Sequence, residues 1–233
     1  MNQKVSRISR PRWNDTAVPA VLTVCVVAVG GVMVAFGQAS ALEAVSFATG
    51  AVCVWLTVRE NIWNFPIGLI NTAGYSVVFF QARLYGDATL QIVYCILGLA
   101  GWYLWLFGGE KHTRLQVSRA GMNERAAVAI VVVASTLVLW KTLRYVGGSA
   151  SFGDAATTSL SLGAQWLLNR KRLENWQVWI VADAIYVPLY ISRGLNLTAV
   201  LYAVFLVMAV MGLFRWREVY EEQARRPNPA LAS

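Results

Sequence analysis

One carboxylate lies in the middle of a long apolar stretch, and aromatic side chains share its helical face. Trp176 and Trp179 precede Asp183 by seven and four residues, and Tyr186 follows it by three. These spacings bring all four side chains to one face of a helix. Aromatic walls around a carboxylate suit a planar or cationic ring, which predicts a ligand site. The alternatives are a hydrogen bond from Asp183 to a neighbouring helix and, for Trp176, a place in an interfacial aromatic belt.

Polar side chains on other apolar stretches are further candidates for the same site. Gln91 and Tyr94 are three residues apart on one stretch, and Asn71 and Tyr202 lie on two others. Amide groups both donate and accept hydrogen bonds, so they suit a carboxamide or the hydroxyl groups of a ligand. For the two amides the alternative is a hydrogen bond that holds two helices together. The predicted substrate-binding residues are Asn71, Gln91, Tyr94, Trp176, Trp179, Asp183, Tyr186 and Tyr202.

The sequence contains no pattern for a cofactor, a metal ion or catalysis. The three cysteines, Cys25, Cys53 and Cys95, are far apart and form no CxxC pair. The single histidine, His112, lies in a basic loop. There is no phosphate-binding loop and no nucleophile–base pair. We therefore predict no cofactor, no bound metal and no enzyme activity.

The composition predicts a membrane protein. Of the 233 residues, 57% are hydrophobic and 14% are charged, and the mean hydropathy is +0.51. Soluble domains have about 45–50% apolar and about 25% charged residues. One soluble core could not bury this much apolar surface, which excludes a disordered chain, an ordinary soluble enzyme and a nucleic-acid-binding module. The predicted fold class is an all-α integral membrane protein.

Eight apolar stretches are candidates for membrane-spanning helices. A helix needs about 20 apolar residues to cross a bilayer core, and the shorter stretches must stand nearly upright. The first stretch has no polar face, which favours a span over the alternative, an amphipathic helix on the membrane surface. The predicted spans are 17–37, 42–58, 62–80, 88–107, 126–146, 153–168, 176–191 and 197–214.

The cationic residues indicate the orientation of these spans. If the N-terminus is cytoplasmic, 16 of the 20 Lys and Arg residues fall in cytoplasmic segments. The exceptions are Arg83, Lys141, Arg144 and Arg193. Cytoplasmic loops of membrane proteins are rich in Lys and Arg. The net charge of +8 therefore predicts cytoplasmic N- and C-termini rather than a nucleic-acid partner.

The chain contains an internal repeat. Segments 41–105 and 152–216 match at an offset of 111 residues without a gap. Apolar stretches match easily by chance, but matches of Trp, Arg, Asn, Tyr and Gly are informative. Each segment holds three spans, so one linking span restores the orientation for the second segment. The identical pairs include Trp55/Trp166, Arg59/Arg170, Asn64/Asn175, Tyr75/Tyr186, Gly101/Gly212 and Trp105/Trp216.

The repeat predicts an arrangement of three, one and three helices after an extra leading helix. In transporters with parallel repeats the substrate site lies between the repeats, near the middle of the membrane. The arrangement therefore favours a transporter over a membrane enzyme. We divide the chain into five parts. They are a basic N-terminus with the leading helix (1–40), a first repeat (41–107), a cytoplasmic loop with the linking helix (108–151), a second repeat (152–216) and a cytoplasmic tail (217–233).

Four runs of residues carry a resemblance to a known family. They are GLIN at 68–71, LYGDATLQ at 84–91, GWYLW at 101–105 and ENWQVW at 174–179. With these runs, residues 41–216 resemble the PnuC family of bacterial vitamin transporters. The resemblance implies a SWEET-like fold of three, one and three helices. It also implies that the substrate contacts Asn71, Gln91, Trp176, Trp179 and Asp183.

The resemblance further implies a transport activity. PnuC-type proteins are expected to carry nicotinamide riboside through the bacterial inner membrane by facilitated diffusion, as homotrimers and without an ATPase subunit. A cytoplasmic kinase then phosphorylates the riboside and traps it for NAD biosynthesis. Thiamine and riboflavin, which related branches carry, would match the predicted site as well. Proton coupling through Asp183 is a further alternative.

Overall fold

A computed structural model describes residues 14–35, 41–81, 85–145, 152–192 and 196–225. In these ranges each predicted span corresponds to an α-helix, which confirms the all-α membrane fold. A short 3₁₀ turn at Glu110–His112 precedes the fifth helix. The helices are α1 (Asn14–Ala35), α2 (Ala41–Val58), α3 (Asn64–Gln81), α4 (Tyr85–Phe107), α5 (Met122–Tyr145), α6 (Phe152–Asn169), α7 (Asn175–Ser192) and α8 (Asn196–Arg225). The predicted cations before Asn14, and Arg83, Arg193 and Arg226, lie outside the described residues.

Three of the described helices are long and apolar enough to cross a membrane by themselves. The candidate spans are Thr89–Phe107, Met122–Thr142 and Thr198–Arg225, and in the last of these the polar turns of α8 follow the apolar part. In α1 and α2 the apolar stretches are shorter, at Ala20–Val32 and Ala48–Val58. Many exposed side chains of the helices are Val, Ile, Leu or Phe. Such an apolar exterior is expected of a bundle surrounded by lipid.

Helix α8 is longer than the predicted span 197–214. It continues to Arg225, so the described part of the predicted tail is helical. The added turns are polar, and Arg217 pairs with Glu221 at 3.2 Å. The prediction ended the span where the apolar residues end, whereas ion pairs one turn apart stabilise the helix further.

The helices form two units that pack in the same way. In the first unit α2 packs on α3 and α3 on α4, and in the second α6 packs on α7 and α7 on α8. The units meet along two seams, α2 against α8 and α4 against α6. Helix α2 is equivalent to α6, and α4 is equivalent to α8, so the two seams are formed by equivalent pairs of helices. This symmetry confirms the parallel repeats.

The leading helix α1 takes the place in the first unit that the linking helix α5 takes in the second. Helix α1 packs along α2, and α5 packs along α6. Moving α1 by the repeat offset of 111 residues gives residues 125–146, and α5 spans Met122–Tyr145. Helix α1 also contacts α8, so it covers the seam between α2 and α8. The equivalence is partial, because α1 packs on α8 whereas α5, among the described residues, does not pack comparably on α4.

Three loops lie together at one end of the bundle, which we call the basic end. They are residues 59–63, 108–121 and 170–174. The backbone N–H of Ser118 donates to the carbonyl of Lys171 at 3.0 Å, which ties the second loop to the third. The connection between the units is thus folded against the second unit rather than free.

Glu174 at the start of α7 strengthens this attachment. Its carboxylate accepts hydrogen bonds from the Arg125 guanidinium at 2.5 Å and from the backbone N–H of Ala120 at 2.8 Å. Charge-assisted hydrogen bonds of this kind are the stronger ones in proteins. They hold the start of α7, and with it the face that carries Asp183, against the start of α5.

Two pairs of equivalent residues meet at the centre of the basic end. Lys171 Nζ lies 3.0 Å from Glu60 Oε2, and the ring centroids of Trp105 and Trp216 are 5.9 Å apart. Both pairs are separated by the repeat offset of 111 residues. Residues that a two-fold rotation exchanges can touch each other only near the rotation axis. These pairs therefore mark a pseudo-two-fold axis between the units.

The hydrogen bonds of the two tryptophans have the same symmetry. Trp105 Nε1 donates to the carbonyl of Leu168 at 3.0 Å, and Trp216 Nε1 donates to the carbonyl of Thr57 at 3.1 Å. Thr57 and Leu168 are again 111 residues apart. The last helix of each unit is thus bonded to the first helix of the other unit at both seams.

Exchanging the charges of Glu60 and Lys171 tests the axis. We expect Glu60→Lys and Lys171→Glu each to lower the free energy of unfolding by about 2–3 kcal/mol, because each puts two like charges in a largely buried contact. The double exchange should recover most of this loss, because both positions have the same left-handed backbone, with φ of 53° and 49°. Thermal unfolding of the four proteins in detergent measures the coupling. Additive losses in the double variant would contradict a direct contact.

Candidate functional site

Asp183 lies in the middle of α7, on a face enclosed by other helices. The residue is 3% exposed, and no described residue forms a hydrogen bond or an ion pair with its carboxylate. Helix α7 packs between α6 and α8, and Tyr202 of α8 is near enough to interact with Asp183 electrostatically. A buried carboxylate is costly without a partner. This position therefore suits a ligand that brings a hydrogen-bond donor or a positive charge.

Three tyrosines of α7 and α8 pack together beside Asp183. The ring centroids of Tyr186 and Tyr202 are 4.4 Å apart, and Tyr190 lies 5.6 Å from the first and 5.1 Å from the second. Phe205 extends the cluster along α8, with its ring 5.6 Å from that of Tyr202. The structure thus brings the predicted residues Tyr186 and Tyr202 together. Tyr190 was absent from the prediction, although its spacing of four from Tyr186 indicated the same face.

Tyr94 connects this cluster to the first unit. It lies beside Ser161 of α6, and Ser161 Oγ lies 3.5 Å from the hydroxyl of Tyr186. Ser161 is buried and did not enter the prediction, because one serine in a small-residue helix carries no distinctive pattern. The contact places predicted residues of both units around one point of the seam between α4 and α6.

Trp176 and Trp179 have different surroundings. Trp176 is 2% exposed and packs edge-on against Trp216, with ring centroids 5.4 Å apart. This burial excludes the interfacial belt, and the Trp176 indole N–H has no hydrogen-bond partner among the described residues. Trp179, one turn nearer to Asp183, packs against the same cluster and is only partly buried. Of the two, Trp179 has the more surface left for a ligand.

Asn71 and Gln91 both lie in the first unit. Asn71 Nδ2 donates a hydrogen bond to Thr49 Oγ1 of α2. This bond between two helices is the predicted alternative to substrate binding for Asn71. Gln91 is partly buried on α4, three residues before Tyr94. Gln91 and Tyr94 therefore share the face of α4 that leads to the tyrosine cluster.

A cavity lies on the first-unit side of Tyr94. It has a volume of about 160 Å³, is partly open, and is bounded by α2, α3, α4 and α6. Sites for whole drug-sized ligands enclose about 300–1,000 Å³, so this cavity has room for part of such a ligand. Tyr94 lines this cavity and also contacts Ser161, so the cavity adjoins the Asp183 cluster. Its polar lining consists of Cys53, Thr57, Asn64, Thr72, Tyr94 and Gln165.

Together these elements form a candidate binding site between the two units. They supply one carboxylate, aromatic walls and neutral hydrogen-bonding groups, which suit a planar or cationic ring with polar substituents. In the parts of the chain that the structure describes, no group of three His, Cys, Asp or Glu side chains could hold a metal ion. The position between repeats is the one at which transporters with parallel repeats bind their substrates.

Comparison with known proteins agrees with this arrangement. Residues 40–218 match the family described as "Nicotinamide mononucleotide transporter". The nicotinamide riboside transporter PnuC of Escherichia coli is 25% identical over 211 residues, which cover 79% of this chain and 88% of that protein. The riboflavin/roseoflavin transporter RibM of Streptomyces davaonensis is 26% identical over 177 residues, or 72% of this chain and 80% of that protein.

A solved structure has the same fold. The crystal structure of the vitamin B3 transporter PnuC superposes on this chain with a TM-score of 0.70 at 22% sequence identity. The superposed residues cover 90% of this chain and 97% of the PnuC chain. The family match includes both three-helix repeats and the linking helix, whereas α1 precedes it. The chain therefore belongs to the nicotinamide mononucleotide transporter family, the PnuC family of membrane transporters.

Proposed function

We propose that the chain is a uniporter that carries nicotinamide riboside across the bacterial inner membrane by facilitated diffusion. The observation that carries this proposal is Asp183, a buried carboxylate beside an aromatic cluster and without a partner among the described side chains. Nicotinamide riboside has a cationic pyridinium ring, which would supply the positive charge. Relatives named as nicotinamide riboside transporters support the same substrate.

The proposed uptake needs a sink in the cytoplasm, because facilitated diffusion only equilibrates its substrate. We assign this role to a kinase that phosphorylates the riboside. The added phosphate traps the product, and the product enters NAD biosynthesis. The protein needs no ATPase subunit, since removal of the free riboside keeps the gradient inward. The resemblance to PnuC supports a homotrimer as the working unit.

In this proposal the basic end faces the cytoplasm, together with both termini. Cytoplasmic segments are enriched in Lys and Arg. Of the described cations, Lys141 and Arg144 lie at the opposite end, near the end of α5. Those at the basic end and in the polar turns of α8 are Arg59, Lys111, Arg114, Arg119, Arg125, Arg170, Lys171, Arg172, Arg215, Arg217 and Arg225.

Uptake by proteoliposomes tests the uniporter. Purified protein should equilibrate radiolabelled nicotinamide riboside without ATP and without an ion gradient, because the proposed mechanism couples to neither. A riboside kinase with ATP inside the vesicles should turn equilibration into accumulation. Vesicles without protein are the control. Uptake that requires a pH gradient would replace the uniporter by a proton-coupled transporter.

Riboflavin is the second candidate substrate. RibM is 26% identical to the chain, close to the 25% of the Escherichia coli PnuC, so sequence identity does not separate the two. The charge of Asp183 favours the riboside, because riboflavin is neutral while nicotinamide riboside is a cation. Thiamine is also cationic and belongs in the same binding screen. Binding of riboflavin or thiamine in place of nicotinamide riboside would contradict the proposed substrate.

A further inference from the structure

The lining of the first-unit cavity differs from the equivalent residues of the second unit, and the largest difference in size is at Gly68. Gly68 lines the cavity, and its equivalent in the second unit, 111 residues later, is Trp179. Gly98, which also lines the cavity, corresponds to Ala209. The Trp179 indole packs against the aromatic cluster of the second unit, whereas Gly68 has no side chain. The first unit therefore holds empty space at the position where the second unit holds an indole ring.

The hydrogen bonds around Asn64 leave an acceptor at this cavity. Thr57 Oγ1 donates its only proton to the carbonyl of Cys53 at 2.8 Å. It can therefore only accept from Asn64, whose Nδ2 lies 3.0 Å away. The Asn64 side chain is 94% buried, since the residue is 6% exposed, and its Oδ1 has no partner among the described residues. This buried amide oxygen therefore needs a hydrogen-bond donor. A ligand or a water molecule inside the cavity could supply that donor.

A second chain of hydrogen bonds orients Gln165 in the same sense. The carbonyl of Leu97 can only accept, so Asn169 must point its Nδ2 toward it, at 2.7 Å. Asn169 Oδ1 then accepts from Gln165 Nε2 at 2.9 Å. The Gln165 amide therefore has its oxygen and the second proton of Nε2 available to the cavity that it lines. Both amides in the cavity wall offer an acceptor, and none of the lining side chains is Asp, Glu, His, Lys or Arg.

We propose that this cavity is a separate subsite that binds the polyhydroxyl part of the substrate, a ribosyl or ribityl group. An uncharged group rich in O–H donors matches a neutral cavity rich in acceptors. Tyr94 belongs to both the cavity and the contact with the tyrosine cluster, so a ring beside Asp183 leaves its sugar within reach of the cavity. This inference rests on the proposed transport of a ribosyl vitamin, and it names the part of the site that recognises the sugar.

Filling the cavity tests the subsite. Gly68→Leu places a side chain in the empty space, and a Cβ at Gly68 meets only the Cys53 sulfur, at 3.8 Å, so the helix tolerates it. Gly74→Leu on the same helix is the matched control, because no atom lies within 4 Å of a Cβ there. The ligands are nicotinamide riboside and 1-methylnicotinamide, which has the same cationic ring but no sugar. Calorimetric titration of the wild-type protein and the two variants, as purified full chains, gives six dissociation constants.

We expect Gly68→Leu to weaken riboside binding by about tenfold or more and to leave the affinity for 1-methylnicotinamide within about twofold. Gly74→Leu should change neither. If Gly68→Leu does not fold, Gln165→Met provides the test, because it removes one acceptor without filling the space. Gln165→Met should weaken the binding of the riboside and leave that of 1-methylnicotinamide unchanged. Equal losses for both ligands, or no loss for the riboside, would overturn the subsite.

The same variants separate the subsite from the substrate assignment. If the wild-type protein does not bind nicotinamide riboside, the proposed function fails, and the comparison is made with riboflavin and lumiflavin. Lumiflavin has the flavin ring but lacks the ribityl chain. A selective loss of riboflavin binding in Gly68→Leu would then support the subsite with a different vitamin. An equal loss of both flavins would overturn the subsite as well.

Discussion

Asp183→Asn should weaken the binding of nicotinamide riboside by at least about 30-fold. The substitution keeps the size of the side chain and removes its charge. In a buried site, loss of one partner of a charge pair costs about 2–5 kcal/mol, and 1.4 kcal/mol corresponds to a factor of ten in affinity. Titration of the purified variant with the riboside measures the change.

Two controls separate charge recognition from a general disturbance of the site. The dihydro form of nicotinamide riboside has nearly the same shape but no positive charge, so Asp183→Asn should change its affinity by less than about threefold. Glu221→Gln, in the polar turns of α8 where Glu221 pairs with Arg217, should leave the affinity for the cationic riboside nearly unchanged. Equal losses for the charged and the neutral riboside would show that the carboxylate does not recognise the pyridinium charge.

Gly212→Ala should destabilise the fold, although alanine normally stabilises a helix relative to glycine. A Cβ at Gly212 would lie 2.6 Å from three atoms of the Trp176 indole. The indole cannot easily move, because it is buried and packs edge-on against Trp216. Overpacking of this kind costs about 1–3 kcal/mol, which corresponds to about 3–10 °C in Tm for a chain of this size. Thermal unfolding in detergent measures the loss.

Two other glycines complete this experiment. Gly101 is the repeat equivalent of Gly212, and a Cβ there would lie 2.6 Å from Phe65 and would also overlap Asn169 Oδ1. Gly101→Ala should therefore destabilise the protein to a similar degree. Gly74→Ala, with nothing within 4 Å of its Cβ, should leave Tm unchanged or raise it slightly. A Tm for Gly212→Ala as high as that of Gly74→Ala would contradict the packing of the tryptophans at the axis.

Much of the fold was predictable because its determinants are local or repeated. Long apolar stretches indicate the helices, and the offset of 111 residues indicates two parallel units. The end of α8 was not predictable from hydropathy, because polar turns held by pairs such as Arg217 and Glu221 continue the helix. The similar packing of α1 and α5 was not predictable either, because matches between apolar residues of two spans arise easily by chance. Only the structure shows that α1 packs against α2 as α5 packs against α6.

The candidate site was predictable where its residues share one helix. Asp183, Trp179 and Tyr186 lie on one face of α7 because of their spacing, and the structure places that face inside the bundle. Ser161 was not predictable, because its importance arises from Tyr94, 67 residues away in the sequence. Trp176 shares the spacing of the site residues, but its depth in the tryptophan cluster depends on which helices cross there.

The sequence by itself determined the class of protein, the approximate spans, the repeat and the choice of Asp183 as the candidate carboxylate. These features follow from helical periodicity, apolar composition and an offset between similar segments, and none of them requires a contact to be known. Only the tertiary structure decided the pseudo-two-fold axis at Glu60 and Lys171 and the cavity beside Gly68. Both depend on side chains from distant segments, because contact requires proximity in space. The same holds for the amide oxygens of Asn64 and Gln165 at the cavity. They are available because the amide nitrogens bond to Thr57 and Asn169, which are close only in the folded protein.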